Sequence, residues 1–316
     1  MKRRSFIEAL GTGVAGLAAG QGVSEEIFAR RSSAGPSRTH PGASGVQGPD
    51  APPRVRKAVK FHMLESEAPV RERFRVLRDA GFEGVEFRSP NDYDTAAIVE
   101  ARKKTDLEVI GVVAGWKNFG STDPADLKQS HEELDTALRD AADYGASLVL
   151  LVPETVNAEM PYDQAYDRSI QEIKKALPRA EELGVRIGIE NVWNQFLLSP
   201  IEFASYVDAF ESEWLGAYFD IGNVAKHGWP EQWIRILGDR ILRLDAKGFS
   251  ADLMNKRGPG AGFEADIGEG TIDWAAVRTA LDDIGYQGWA TAEETGGDSA
   301  RMQTVAEHMN RVFPAA

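Results

Sequence analysis

The sequence predicts an α/β fold of the (β/α)8 type, a single TIM barrel, and three observations carry that prediction. From Lys57 onward, a short apolar or β-branched run alternates eight times with a charged, helical stretch. Glycines stand where several of the helical stretches should stop. The last four apolar runs each close on a carboxylate. Eight even strand–helix units in the 260 residues from 57 to 316 match an eight-fold parallel barrel. A doubly wound open sheet seldom needs eight such units, and no G-x-G-x-x-G follows the first run.

Taken in order, the first run is "AVKFHM" (58–63), followed by a helical stretch over 70–80 that Gly81 should end. "GVEF" (84–87) precedes a helix over 94–104, and "LEVIGVV" (107–113) precedes one over 129–144, closed by Gly145. "ASLVLLV" (146–152) leads to a long helix over 163–183, closed by Gly184. "VRIGIE" (185–190) leads to a helix over 200–211 with a complete start signal: Ser199 as N-cap, Pro200 at the first helical position and Glu202 for a capping box. "LGAYFD" (215–220) is followed by a helix over 231–238, and "RILRLD" (240–245) by one over 273–285, ended by Gly285. "GWATAE" (288–293) and a helix over 299–313 complete the series.

The first 56 residues differ in kind. "MKRRSFIEAL" pairs Arg3 and Arg4 ahead of Phe6 and Ile7, and the weakly apolar "GTGVAGLAAG" follows. That order resembles a twin-arginine export signal over 1–29, too short and glycine-rich to anchor stably in a bilayer. Residues 30–56, rich in Gly, Pro, Ser and Arg, read as a disordered linker. An exported, periplasmic protein is expected. Residues 1–56 hold 8 Lys/Arg and 4 Asp/Glu, so a total charge of −13 leaves −17 on the barrel domain, 57–316. Such an acidic body repels phosphate backbones, so nucleic acid is not an expected partner. The chain has no cysteine, which excludes disulfides and thiolate metal sites. A homo-oligomer is compatible with the sequence but not indicated by it.

In such barrels chemistry sits at the C-terminal ends of the strands. Those positions read His62, Glu86, Trp116, Glu154, Glu190, Asp220, Asp245 and Glu293. Any one acid could cap a helix or lie solvated. Four of them on successive strands, Glu190, Asp220, Asp245 and Glu293, could not all stay ionised without a cation between them. One divalent metal held by oxygen ligands is the expected solution. Alternation along "RILRLD" then places Asp245 and Arg243 inside the barrel and Leu242 and Leu244 outside, under the helices.

"IGIENVWNQFLLSP", "GAYFDIGN", "PEQWIRILGDRI", "IGEGTIDW" and "GYQGWATAE" resemble the sugar phosphate isomerase/epimerase family, the xylose-isomerase-like barrels. The resemblance covers 57–316 and is strongest from 185 onward. It implies a metal held by Glu, Asp, His and Glu from strands five to eight. Glu190, Asp220 and Glu293 match, while Asp245 fills the His position and Gly248 the Asp of the family's H-x-K-D motif; Lys247 is kept. Where many relatives have a substrate-contacting His, "DIGN" has Asn223. An all-oxygen ligand set is harder than one with imidazole, so Mn²⁺ or Mg²⁺ is favoured over Zn²⁺ or Co²⁺.

The resemblance implies isomerisation or epimerisation of a small sugar or keto-sugar, with Glu190 and Glu293 serving as both ligands and acid/base. Lys247 is expected either to steady oxyanion charge or to pair with a ligand carboxylate. His62, Glu86, Glu154, Trp193, Asn194 and Asn223 are candidate substrate contacts, with internal packing or hydrogen bonding as the alternative for Trp193, His62 and Glu86. His227 reads as a surface histidine. Gly268 and Gly270, or Gly296, Gly297 and Arg301, could cradle a phosphate; Asp273 and Asp298 would otherwise simply cap helices. A lyase or dehydratase using the same metal on a 3-keto-sugar or inosose is the nearest alternative, and a silent sugar-binding barrel the third.

Overall fold

The computed structural model describes residues 55–314. The signal expected over 1–29 and the linker expected over 30–56 lie outside the described residues, apart from Val55 and Arg56. Those two open the first strand, so the fold begins two residues before Lys57. The strands are β1 (Val55–Lys60), β2 (Gly84–Arg88), β3 (Glu108–Trp116), β4 (Leu148–Val152), β5 (Arg186–Glu190), β6 (Leu215–Asp220), β7 (Ile241–Ala246) and β8 (Gly288–Ala292). They form one closed parallel barrel in sequence order. Closure is direct: β1 pairs with β8, placing Ala58 opposite Thr291 and Val59 opposite Ala292.

The helices start and stop where local chemistry says they should. Ser199 caps Pro200–Asp208 by accepting from the Glu202 amide at 3.2 Å, and Glu202 reaches back to accept from the Leu198 amide at 2.8 Å. Gly81, Gly145 and Gly184 take left-handed conformations as C-caps. Two expectations need correction. The helix expected from 129 begins at Pro124, because Asp123 accepts from the Ala125 amide and caps it earlier. The stretch 163–183 is two helices, Tyr162–Lys174 and Leu177–Leu183; Pro178 lacks the amide that a continuous helix would use. The long connection after β7 also contains a helix, Ala251–Arg257, and a 3-10 turn, Pro259–Glu264.

Strand alternation divides the core into two shells. Outward residues such as Val59, Val85, Phe87, Ile187, Ile189, Phe219 and Leu244 pack beneath the helices. Inside the barrel, Leu148, Leu150, Val152 and Tyr218 form a separate cluster. Leu242 belongs with this inner cluster, not under the helices. The reason is a register shift where β6 meets β7: Ala217 faces Ile241, but Tyr218 faces Arg243, leaving Leu242 as the extra residue of a bulge. Leu242 fills the space over Gly216, where a Cβ would lie 2.6 Å from its Cγ. Gly111 likewise makes room for Glu86 and Arg243. The barrel interior is therefore built to hold large polar side chains.

Candidate metal centre and active site

The C-terminal mouth of the barrel holds a cavity of about 410 Å³ lined by Lys60, His62, Arg88, Val113, Trp116, Leu150, Val152, Glu190 and Glu293, among others. Its β3–β4 side is largely apolar, and charged groups come from β1, β2, β5 and β8. Glu190, Asp220, Asp245 and Glu293 come together there, each offering an oxygen, with all four oxygens within 4.8 Å of one another. Asp220 and Asp245 are wholly buried, whereas the Glu293 side chain is 40% exposed. The acids are held, not loose. Asn223 Nδ2 donates to Asp220 Oδ2 at 2.8 Å, and the Asn223 amide donates to Asp220 Oδ1 at 2.8 Å. Asn191 clasps the Asp220 backbone in both directions, accepting from its amide and donating to its carbonyl.

Two lysines serve this cluster, Lys60 buried and Lys247 half-buried. Lys247 Nζ lies 2.8 Å from Asp220 and 3.3 Å from Glu293, so of its two expected roles the structure shows the ion pair. A Cβ at residue 222 would collide with the Lys247 side chain, so Gly222 lets it pass. Gly248, standing where relatives carry Asp, has the Ala265 and Asp266 carbonyls where its Cβ would be. Lys60 was not foreseen. Its Nζ sits 2.9 Å from both Glu86 and Asp245, and 3.8 Å from Glu293. The Tyr218 hydroxyl lies 2.8 Å from Glu86, 3.1 Å from Asp245 and 3.2 Å from Thr291. Its one proton serves one carboxylate at a time. Arg243 faces inward as alternation requires, and pairs with Glu86 at 3.5 Å, a layer below the mouth.

Charge balance is informative. The linked cluster contains five carboxylates (Glu86, Glu190, Asp220, Asp245, Glu293) against Lys60, Lys247 and Arg243, an excess of two negative charges if every acid were ionised. The acids register that deficit. Burial first, then Asp220 and Glu293 nearby, push Glu190 up to about 8 against the pull of Lys247. Burial also raises Asp220 and, with the surrounding acids, Asp245. Burial works against Glu293 too, but Lys247 and Lys60 outweigh it and hold it at about 2. Lys60 stays protonated: Asp245 and Glu86 more than offset its burial. An all-oxygen cage that would be two positive charges short when fully ionised fits a divalent cation.

Several candidate contacts prove to be internal. Glu86 is 1% exposed and forms the floor with Tyr218, Lys60 and Arg243, so the hydrogen-bonded alternative is the one observed. Glu154 is buried and accepts from the Gly120 and Thr155 amides; it ties the loops after β3 and β4 together. Asn194 is buried and donates to the Glu154 carbonyl at 2.7 Å. Trp193 donates to the Asn223 carbonyl and packs on Phe263, 4.7 Å between ring centroids. Asn223 orients Asp220 instead of facing the cavity. These five are corrected from substrate contacts to supports, because each already makes hydrogen bonds within the protein.

In the loops after β7 and β8 the groups read as a phosphate cradle are engaged within the protein. Arg301 is engaged by Asp266 at 2.8 Å and Glu294 at 2.9 Å, beside His308. Gly270 and Gly296 press against backbone, and Asp273 and Asp298 act as N-caps. His227 is exposed, as expected.

His62 does open to the cavity, on a 3-10 turn after β1 (Phe61–Met63), and its Nε2 meets the Arg88 guanidinium at 2.9 Å. Burial, then Arg88 and Lys60, lower His62 to about 4. A histidine that accepts from arginine must be neutral. Its ring protons should therefore show no titration above about pH 5 in an NMR pH series, against about 6.5 for a free histidine. A midpoint above 6 would show that the Arg88 contact does not persist in solution.

The barrel closed in sequence order, with its acids gathered at the C-terminal mouth, defines a (β/α)8 protein with an enzyme-like site. The chain belongs to the xylose isomerase-like TIM barrel family, which residues 74–312 match. A 2-oxo-tetronate isomerase of Haemophilus influenzae is 25% identical over 258 residues, covering 75% of this chain and 92% of that protein. Among solved structures, a D-psicose 3-epimerase determined in the presence of D-fructose superposes with a TM-score of 0.68 at 17% identity, covering 83% of this chain and 100% of that one. The IolI protein with a bound zinc atom gives 0.70 at 15% identity, covering 82% and 98%. The relatives are thus largely sugar isomerases and epimerases, on a shared fold.

Proposed function

We propose that this protein is a divalent-metal-dependent isomerase or epimerase of a small sugar or keto-sugar. The observation that carries the reading is the cage of four carboxylates, with oxygens within 4.8 Å of one another, at the mouth of a family barrel. Glu190, Asp220, Asp245 and Glu293 would hold the metal, which would polarise a carbonyl and lower the acidity barrier of the neighbouring C–H. Glu190 and Glu293 line the cavity and come from strands β5 and β8. One carboxylate takes a proton from carbon. For epimerisation the other, already protonated, delivers its own to the opposite face of the same carbon. For isomerisation a proton is delivered to the neighbouring carbon while the hydroxyl proton passes to the other oxygen. Lys247 and Lys60 hold Glu293 in place and disperse charge as the proton moves. The apolar side from Val113, Leu150 and Val152 limits water at the reacting carbon. The twin-arginine-like start supports a site of action outside the cytoplasm, where an unphosphorylated substrate is more available.

The test is to incubate metal-loaded protein with free keto-sugars in D2O and follow C–H exchange by NMR. Exchange without net dehydration supports the reading; a dehydrated product would favour the lyase, and metal binding without exchange on any keto-sugar the silent barrel. Calorimetric titration with Mn²⁺ gives a second check. Because burial and the neighbouring acids raise Glu190, Asp220 and Asp245, cation binding at pH 7 should release protons, and fewer as the pH rises. Asp245→Ala should bind Mn²⁺ markedly more weakly. An unchanged affinity would remove Asp245 from the ligand set and leave it as the partner of Lys60.

A further inference from the structure

The mouth contains a cation that the metal cage does not use. Lys60 and Lys247 are each bonded to two carboxylates of the cluster, and Arg243 is paired with Glu86 below it. Arg88, at the C-terminal end of β2, is different. Among the described residues no carboxylate oxygen lies within 4.0 Å of its guanidinium, and its side-chain partner is the neutral ring of His62. It is exposed and lines the mouth cavity together with Glu190 and Glu293. It also lines a second cavity of about 390 Å³ alongside, with Phe61, Phe87, Asn91, Asp92 and Tyr93. His62, Arg88 and Pro90 are common to both, so Arg88 stands where the two cavities join.

Its setting is built. The next residue, Ser89, is fixed by its hydroxyl donating to Asp140 at 2.6 Å, and Asn91 Nδ2 donates to the Arg88 carbonyl at 2.7 Å. His62 accepts one guanidinium hydrogen without cancelling the charge. An arginine held by a neutral acceptor keeps its full charge and its remaining donors for a ligand.

We propose that Arg88 binds an oxyanion of the substrate, a carboxylate or a phosphate, at the end away from the acidic cage. This deepens the reading of the mouth as a sugar site and rests on it. The acids leave the β2 side as the favourable place for a negative group. The loop where barrels often bind phosphate is closed to it, since Arg301 is already shared between Asp266 and Glu294. A planar guanidinium can hold either oxyanion through two parallel hydrogen bonds.

The experiment is calorimetric titration of the Mn²⁺-loaded full chain with three four-carbon probes: erythritol, erythronate and erythritol 4-phosphate. None has a ketone or aldehyde group, so none can turn over. The wild type should prefer at least one anionic probe over erythritol by about tenfold or more, as for a charge-assisted pair. That ratio should fall to about one in Arg88→Gln and partly return in Arg88→Lys. The preferred anion identifies the group. A ratio near one for both anions in the wild type overturns the proposal. So does a ratio that survives Arg88→Gln, which would put the anion on the metal. Mn²⁺ affinity of both variants reports that the mouth is intact, and Arg88→Lys carries the test if the glutamine variant is not. Absence of C–H exchange on keto-sugars would sink the isomerase reading while this ratio stayed readable, so the two failures are distinct.

Discussion

Glu190→Gln and Glu293→Gln should each slow C–H exchange by roughly 100-fold or more, the usual contribution of a positioned general acid or base. Glutamine keeps an oxygen in the cage but cannot accept the carbon-bound proton. The two variants should differ in how they lose activity. Glu190 sits high, at about 8, so its replacement by a neutral amide alters the empty cage little at pH 7. Glu293 is held at about 2 by Lys247 and Lys60, so Glu293→Gln leaves both lysines short of a partner. Rates for both variants, measured at saturating Mn²⁺, separate the chemistry from metal loss. If both exchanged at near the wild-type rate, the two-carboxylate mechanism would be excluded.

Lys60→Met should destabilise the barrel by about 3–5 kcal/mol, the cost of leaving buried charge without its partner. Lys60 is 3% exposed and is the cation between Glu86 and Asp245. Adding Glu86→Gln to the same chain should recover part of the loss, because one of the two stranded carboxylates is then neutral. Denaturant unfolding of the metal-free forms measures both. A loss under about 1 kcal/mol for Lys60→Met would mean that Asp245 and Glu86 share a proton and need no lysine.

The sequence showed the barrel and the acids but not the layer each acid occupies. Strand ends, caps and the carboxylates of β5 to β8 are local features, and alternation tells inside from outside. It does not tell how deep an inward residue lies. Glu86 and Glu190 both lie at or near strand ends on inner positions, yet Glu86 is floor and Glu190 is rim. The difference arises from strand tilt and from register shifts such as those within β2–β3 and β6–β7. Neither Lys60 nor Tyr218 stood out in the sequence, since nothing nearby announces partners 185 and 132 residues away. One signal was there to use: a lysine inside "AVKFHM", facing a barrel already known to be acidic, had to meet a carboxylate. Asn194 and Glu154 misled for the opposite reason. Polar residues beside a site look functional, but a loop packed over a barrel has backbone amides and carbonyls of its own to satisfy.

From Arg243 through Glu86, Lys60, Glu293 and Lys247 to Asp220, opposite charges follow one another without a break, from the barrel interior to its rim. Such a run titrates as one body. The apparent pKa values of a pH–rate profile would belong to the whole series and not to Glu190 or Glu293 singly. Charge substitutions along it should also be non-additive, even between Arg243 and Asp220, which share no contact. A proton drawn from substrate at the rim would thus be felt down to Glu86, and the barrel's interior would take part in setting the basicity of its mouth.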